Sequence, residues 1–377
     1  MQHNLNPSAN QHDSTSTIGH DFPDVLRPTT IRQPERPPML VYLDLNHWIS
    51  LSKAHSGHPD GTQHIASLEF CRKAVNHGKA FFPISEYIYA EISKITHHRQ
   101  RRNLREVIEQ IGRFMVVAPL GDVVDHEVEA ILDHMIGPNP QPLSKIDYLD
   151  WGVARAFGRA GGFRITSANG EDVTNEIRQI HPIGAVAFDR TLIRAEIELN
   201  RKAIEGPSPQ EEPQLRKRRW NPEAVVQLYE QTASDERAQV QRFDSHPKWR
   251  RERTRDVIAV REAIAEISPR LVKGFVARGR SDDDGLIPGN RDELRSMFDA
   301  MPSVNVSVTL KTSLHRDSNY RWRNNDIYDI RALSLTIPYC DVVVADSSMC
   351  SHVTRHDLPS RYDTVVISEL AEVSDHI

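Results

Sequence analysis

"MLVYLDLNHWISLSKA", residues 39–54, sets an apolar run against a carboxylate. Residues 39–43 have the composition of a buried strand, Asp44 closes it, and "WISLSKA" continues at helical spacing. An acid at that junction has two physical explanations. It caps the helix that follows, or it stands at the carboxyl end of a parallel strand, where open α/β sheets gather their ligands. The second explanation needs other acids placed to join it.

Working outward, "KAFFPIS" (79–85) predicts a second strand ending at Ser85, and "EYIYAEISKI" (86–95) a helix. "MVVAPL" (115–120) predicts a third strand, and "DHEVEAILDHMIG" (125–137) a helix ending on glycine. The pattern returns late: "DIYDIRALSLTI" (326–337) as helix, "CDVVVAD" (340–346) as a buried strand, "DTVVIS" (363–368) as a last strand. Strands alternating with helices predict an α/β domain with a parallel sheet. "GPNPQP" (137–142) and "EGPSPQEEPQ" (205–214) break the chain, and charged helical segments dominate between and after them. The expected organisation is a tail over 1–37, a split domain over 38–135 and 318–377, and a mainly helical insertion over 136–317. The tail, with His3, His12 and His20, is polar enough to be read as flexible. "SDDDGLIPGN" (281–290) is expected to be a loop.

The 47 basic and 52 acidic residues give a formal net charge of −5, which does not advertise a nucleic-acid binder but leaves room for segregated surfaces, so global charge is silent on partners. Three cysteines form neither a metal-ligand spacing nor a disulfide framework. No stretch approaches the roughly 20 apolar residues of a membrane span, and a cytoplasmic, non-membrane protein is expected. "GRAGG" lacks the lysine and glycine spacing of a phosphate loop.

Asp346 closes "VVVA" as Asp44 closes "MLVYL". Glu91 stands six residues beyond Ser85, and Asp326 and Asp329 lie three apart on one helical face. Asp341, at the other end of the late strand, reads as a turn or capping residue, and Asn325 as a cap for the helix carrying Asp329. Buried like charges repel and raise each other's pKa, so such a cluster calls for a cation. Oxygen ligands without cysteine or a well-placed histidine suit Mg²⁺ or Mn²⁺.

With "LDLN", "ISEYIYAEI", "YDIRALSL" and "VVVAD" in this order, the chain resembles the PIN-domain ribonucleases, a family that includes many bacterial toxin nucleases and RNA-processing nucleases. The resemblance covers roughly 39–130 and 320–370, and Val344 stands where members usually carry Thr or Ser. It implies a three-layer α/β/α fold with a central, mostly parallel sheet, here interrupted by the insertion. It also implies that Asp44, Glu91, Asp329 and Asp346 are catalytic metal ligands, with Asp326 a further candidate and Asn46 and Ser85 orienting them. The implied activity is Mg²⁺- or Mn²⁺-dependent endoribonuclease, in a toxin or defence setting, with RNA as substrate and an antitoxin-like protein or a second copy as partner. The alternative is an inactive PIN-like RNA-binding or scaffold protein. A haloacid-dehalogenase-type phosphohydrolase would need an acid where Asn46 stands.

Basic runs occur at 97–102, 216–220, 248–255 and 315–323. The last interleaves Arg316, Arg321 and Arg323 with Tyr320 and Trp322, the mixture that phosphate contact plus base stacking requires.

Overall fold

The computed structural model describes residues 21–35, 38–208, 210–217, 221, 223–280, 288 and 290–377. Leu40, Val41 and Leu43 are nearly or fully buried, the signature of a strand covered on both faces. They belong to β2 (Met39–Leu43), which follows β1 (Ile31–Arg32) and precedes β3 (Ala80–Phe81), β4 (Met115–Val117), β5 (Ile146–Asp147), β6 (Leu149–Trp151), β7 (Val342–Val344) and β8 (Val365–Ile367). The central sheet runs β3-β2-β7-β8, all parallel. Ile84 extends it towards β4: its N–H donates to Met115 O at 3.0 Å and its carbonyl accepts from Val117 N at 3.0 Å. β6 pairs antiparallel with β4, and β1 pairs parallel with β5.

The helices that matter below are α1 (Leu45–His55), α2 (Ile65–Asn76), α3 (Glu86–Ser93), α4 (His98–Val107), α5 (Leu120–Ile136), α6 (Ala185–Glu205), α7 (Glu223–Ser245), α8 (Pro302–Arg316), α9 (Asn324–Thr336) and α10 (Ser347–Arg355). The chain is thus a mixed α/β structure with parallel strands. No helix among the described residues is long and apolar enough to cross a membrane.

One expectation gains detail and one needs correction. Within the mainly helical segment 136–317, β5 and β6 stand among the helices, and Tyr148, Ile204, Tyr229 and Leu310 share the hydrophobic core of the sheet. Tyr148 even donates its hydroxyl to Leu335 O on α9 at 2.8 Å. Residues 21–35, assigned from composition to the flexible tail, are also ordered. Phe22 enters a second core with Val128, Phe243 and Phe275, and Arg27 donates to Pro338 O and Tyr362 O, each at 3.0 Å. Residues 1–20, with the three tail histidines, and most of the 281–290 loop lie outside the described residues.

If 21–35 is part of the fold, Phe22→Ala should lower stability by about 2–4 kcal/mol in urea denaturation. A change within about 0.5 kcal/mol, as on an open surface, would return this segment to the tail.

Candidate metal and catalytic site

β2 and β7 are the pivot. The chain leaves β2 for β3 on one side of the sheet and leaves β7 for β8 on the other. The crevice at their carboxyl ends is therefore a topological switch point, the usual ligand position in such sheets. The register pairs Leu43 with Val344, and Asp44 N donates to Val344 O at 2.9 Å. Asp44 and Asp346 consequently emerge side by side.

Both acids also cap helices, so the two explanations of Asp44 hold together. Asp44 Oδ1 accepts from Leu45 N at 2.7 Å at the start of α1, and Asn46 Nδ2 donates to its Oδ2 at 3.4 Å. Asp346 Oδ1 accepts from Ser348 N at 2.8 Å and Met349 N at 3.1 Å at the start of α10. Its Oδ2 makes no hydrogen bond among the described residues.

Glu91 and Asp329 arrive from helices. Ser85 caps α3, accepting from Ile88 N at 3.4 Å, and its hydroxyl shares a 2.9 Å hydrogen bond with Tyr42 of β2. That tie fixes α3 against the sheet, so Ser85 orients Glu91 through the helix rather than by touching a carboxylate. Glu91 is buried, 9% exposed, with Lys94 Nζ 3.6 Å from its Oε1. Asp329, half-buried midway along α9, has no hydrogen bond or ion pair among the described residues.

The four carboxylates feel one another. Burial, followed by the charges of Asp44, Glu91 and Asp346, pushes Asp329 up to about 9. Burial and then Asp44 push Glu91 up to about 7 against the pull of Lys94. Burial raises Asp44 as well, with Asp346 adding to it. A divalent cation fits this donor set chemically: four hard oxygen groups, with one nearby ammonium on only one of them. As placed, however, no three His, Cys, Asp or Glu side chains among the described residues converge closely enough to hold an ion. The carboxylates interact across the crevice without forming a closed shell.

The other expected residues divide. Asp326 is fully buried and committed to capping α9: its Oδ2 accepts from Arg323 N at 2.6 Å and Arg323 Nη2 lies 3.3 Å from Oδ1. Both of its oxygens are thus engaged by Arg323. Asn325 is not the cap; its Oδ1 accepts from Lys94 Nζ at 3.1 Å. Asp341 accepts from Leu40 N at 2.8 Å, at the amino ends of the strands. The stacking expectation for 315–323 fails at Trp322, which is 5% exposed and packs on His315 with ring centroids 4.8 Å apart. Tyr320 is half-buried beside it. Arg316, Arg321 and Arg323 remain exposed. The 248–255 run is largely a paired surface, Arg250 with Asp244 at 2.9 Å and Arg255 with Asp299. Of the 216–220 run, residues 218–220 lie outside the described residues.

Sequence patterning missed two neighbours of the site, Tyr42 and Lys94. Tyr42 ties β2 to α3. Lys94 sits 4.0 Å from the Tyr328 ring centroid, and its spacing of three from Glu91 was the available signal. His47, a half-buried residue of α1, has Nε2 3.5 Å from Ala345 O.

No protein-family model, curated protein or solved structure matches the chain.

Asp329 gives a signed prediction. Its pKa in the fold, about 9, lies above its ordinary 3.8, so its contribution to stability is full below the ordinary value and is lost as pH rises through about 9. In EDTA, Asp329→Asn should therefore gain on the wild type by at least ~1 kcal/mol between about pH 5 and pH 8, followed by urea denaturation. A difference that stays flat or changes sign would show that Asp329 is not held among like charges.

Proposed function

We propose that the chain is a divalent-metal-dependent endoribonuclease of PIN-like type. The carrying observation is that Asp44, Glu91, Asp329 and Asp346, from four separate segments, are electrostatically coupled at the switch point of a parallel sheet. Such a set is costly unless a cation or protons neutralise it.

Asp44 and Asp346 would hold the ion most rigidly, because cap hydrogen bonds already fix their rotamers. Asn46, at 3.4 Å, steadies the Asp44 oxygen left outside the cap. Glu91 and Asp329 complete the donor set, and their raised pKa values mean that they surrender protons when they do so. Bound Mg²⁺ or Mn²⁺ supplies a water activated at neutral pH and neutralises charge on the phosphoryl oxygens. Lys94 offsets part of the Glu91 charge, and the exposed Arg316, Arg321 and Arg323 offer phosphate contacts in the segment leading into α9.

A second function, a non-catalytic RNA-binding or scaffold protein, is favoured by two observations. Asp44 and Asp346 both have capping roles, and no trio converges to hold an ion. One experiment separates the two. Purified protein is incubated with total RNA in Mn²⁺, new ends are mapped, and Asp44→Asn and Asp346→Asn serve as controls. The nuclease should cut at defined positions, and each variant should lose more than the about 10–100-fold typical of an outer-sphere partner. Equal cutting by wild type and variants, or none by either, would support the scaffold.

A further inference from the structure

A cavity of about 670 Å³ is lined in part by α3, the helix that also carries Glu91. It lies within the size range of small-molecule sites. Tyr89, Ala90 and Ser93 line it, while Glu91 and Lys94 of the same helix belong to the carboxylate crevice. Cavity and crevice thus lie on different faces of one helix, α3.

Three features of the lining point to a nucleotide. The Tyr89 side chain is 5% exposed, yet its hydroxyl is buried without a hydrogen-bond partner among the described residues. Orphaned buried hydroxyls are uncommon and call for an explanation. Phe157 is 52% exposed although it faces Tyr89 with ring centroids 5.9 Å apart, so one ring face stays open. Arg101 of α4 donates Nε to Ile204 O at 2.8 Å, and no carboxylate lies within ion-pair distance of it among the described residues. Its neighbour Gly206 has φ +70°, and a Cβ there would collide with the guanidinium. That positive φ favours glycine, and the charge of Glu205 acts on Arg101 from beyond ion-pair distance.

We infer that this cavity receives one nucleotide of a single-stranded RNA: a base against Phe157, its polar edge at the Tyr89 hydroxyl, and a phosphate on Arg101. Arginine with aromatic rings is the combination by which single strands are held. The basic segment 97–102 thereby gains a role through Arg101, while the buried Trp322 cannot stack. The inference rests on the RNA substrate proposed above and names where that substrate is gripped, on another face of the helix that carries Glu91.

The test is fluorescence anisotropy with a labelled single-stranded RNA of mixed sequence, in EDTA. Phe157→Ala should bind about 10-fold more weakly. Its exposure makes loss of the fold an unsuitable explanation, and an unchanged thermal midpoint verifies this. Arg101→Met should weaken binding and reduce the slope of log K against log salt by about 0.7. Tyr89→Phe should change the ranking among A, C and U homopolymers, a shift that loss of packing alone would not produce. Wild-type affinity and slope in the first two variants would overturn the assignment, as would failure of the wild type to bind RNA. Cleavage is absent in EDTA, so losing the nuclease assignment leaves a positive binding result standing. Equal binding by the variants leaves that assignment untouched.

Discussion

The parallel ladder between β2 and β7 is the constraint on which the remainder depends. Val41, Tyr42 and Leu43 pair with Val342, Val343 and Val344 across some 300 residues of intervening chain. That register alone sets Asp44 beside Asp346. A slip of one residue would exchange the faces of every side chain in the strand, withdrawing Tyr42 from Ser85 and α3 from its seat. The buried valine and leucine side chains resist such a slip, so the hydrophobic pattern of two short strands fixes the geometry of the acids.

Burial sets the behaviour of the acids, and helix position adds to the differences in their surroundings. Asp44 and Asp346 sit at the amino ends of α1 and α10, where free N–H groups and the helix dipole favour negative charge. Glu91 lies in the last turn of α3 and Asp329 in the middle of α9, positions without that compensation. These are the two acids driven up to about 7 and about 9. The fold thus sets two capped carboxylates beside Glu91 and Asp329, whose raised pKa values destabilise the empty protein as pH rises.

Much of this was legible in the sequence because its signals are local. Apolar runs ending at Asp44 and Asp346 revealed the strands, and Glu91, six residues beyond Ser85, was placed on the helix that follows; the cap made by Ser85 was not read. What the sequence hid was non-local. The capping bond from Arg323 N to Asp326 depends on the turn before α9, and an Asp at that position looks like any ligand. Trp322 looked like a stacking platform because its burial comes from His315 and Tyr320, not from its own periodicity. Phe22 and Ile31 were lost among prolines and arginines, since β1 acquires its meaning only from β5, more than a hundred residues away.

The central claim is that the coupled carboxylates exist to bind a divalent cation, and calorimetric titration with Mn²⁺ at pH 7.5 tests it most directly. Repeating the titration in buffers of different ionisation enthalpy counts the protons released. With Asp329 near 9 and Glu91 near 7, binding should release about one proton per ion, and Asp329→Asn should reduce that release. No saturable Mn²⁺ binding, or binding with no proton release, would contradict the account.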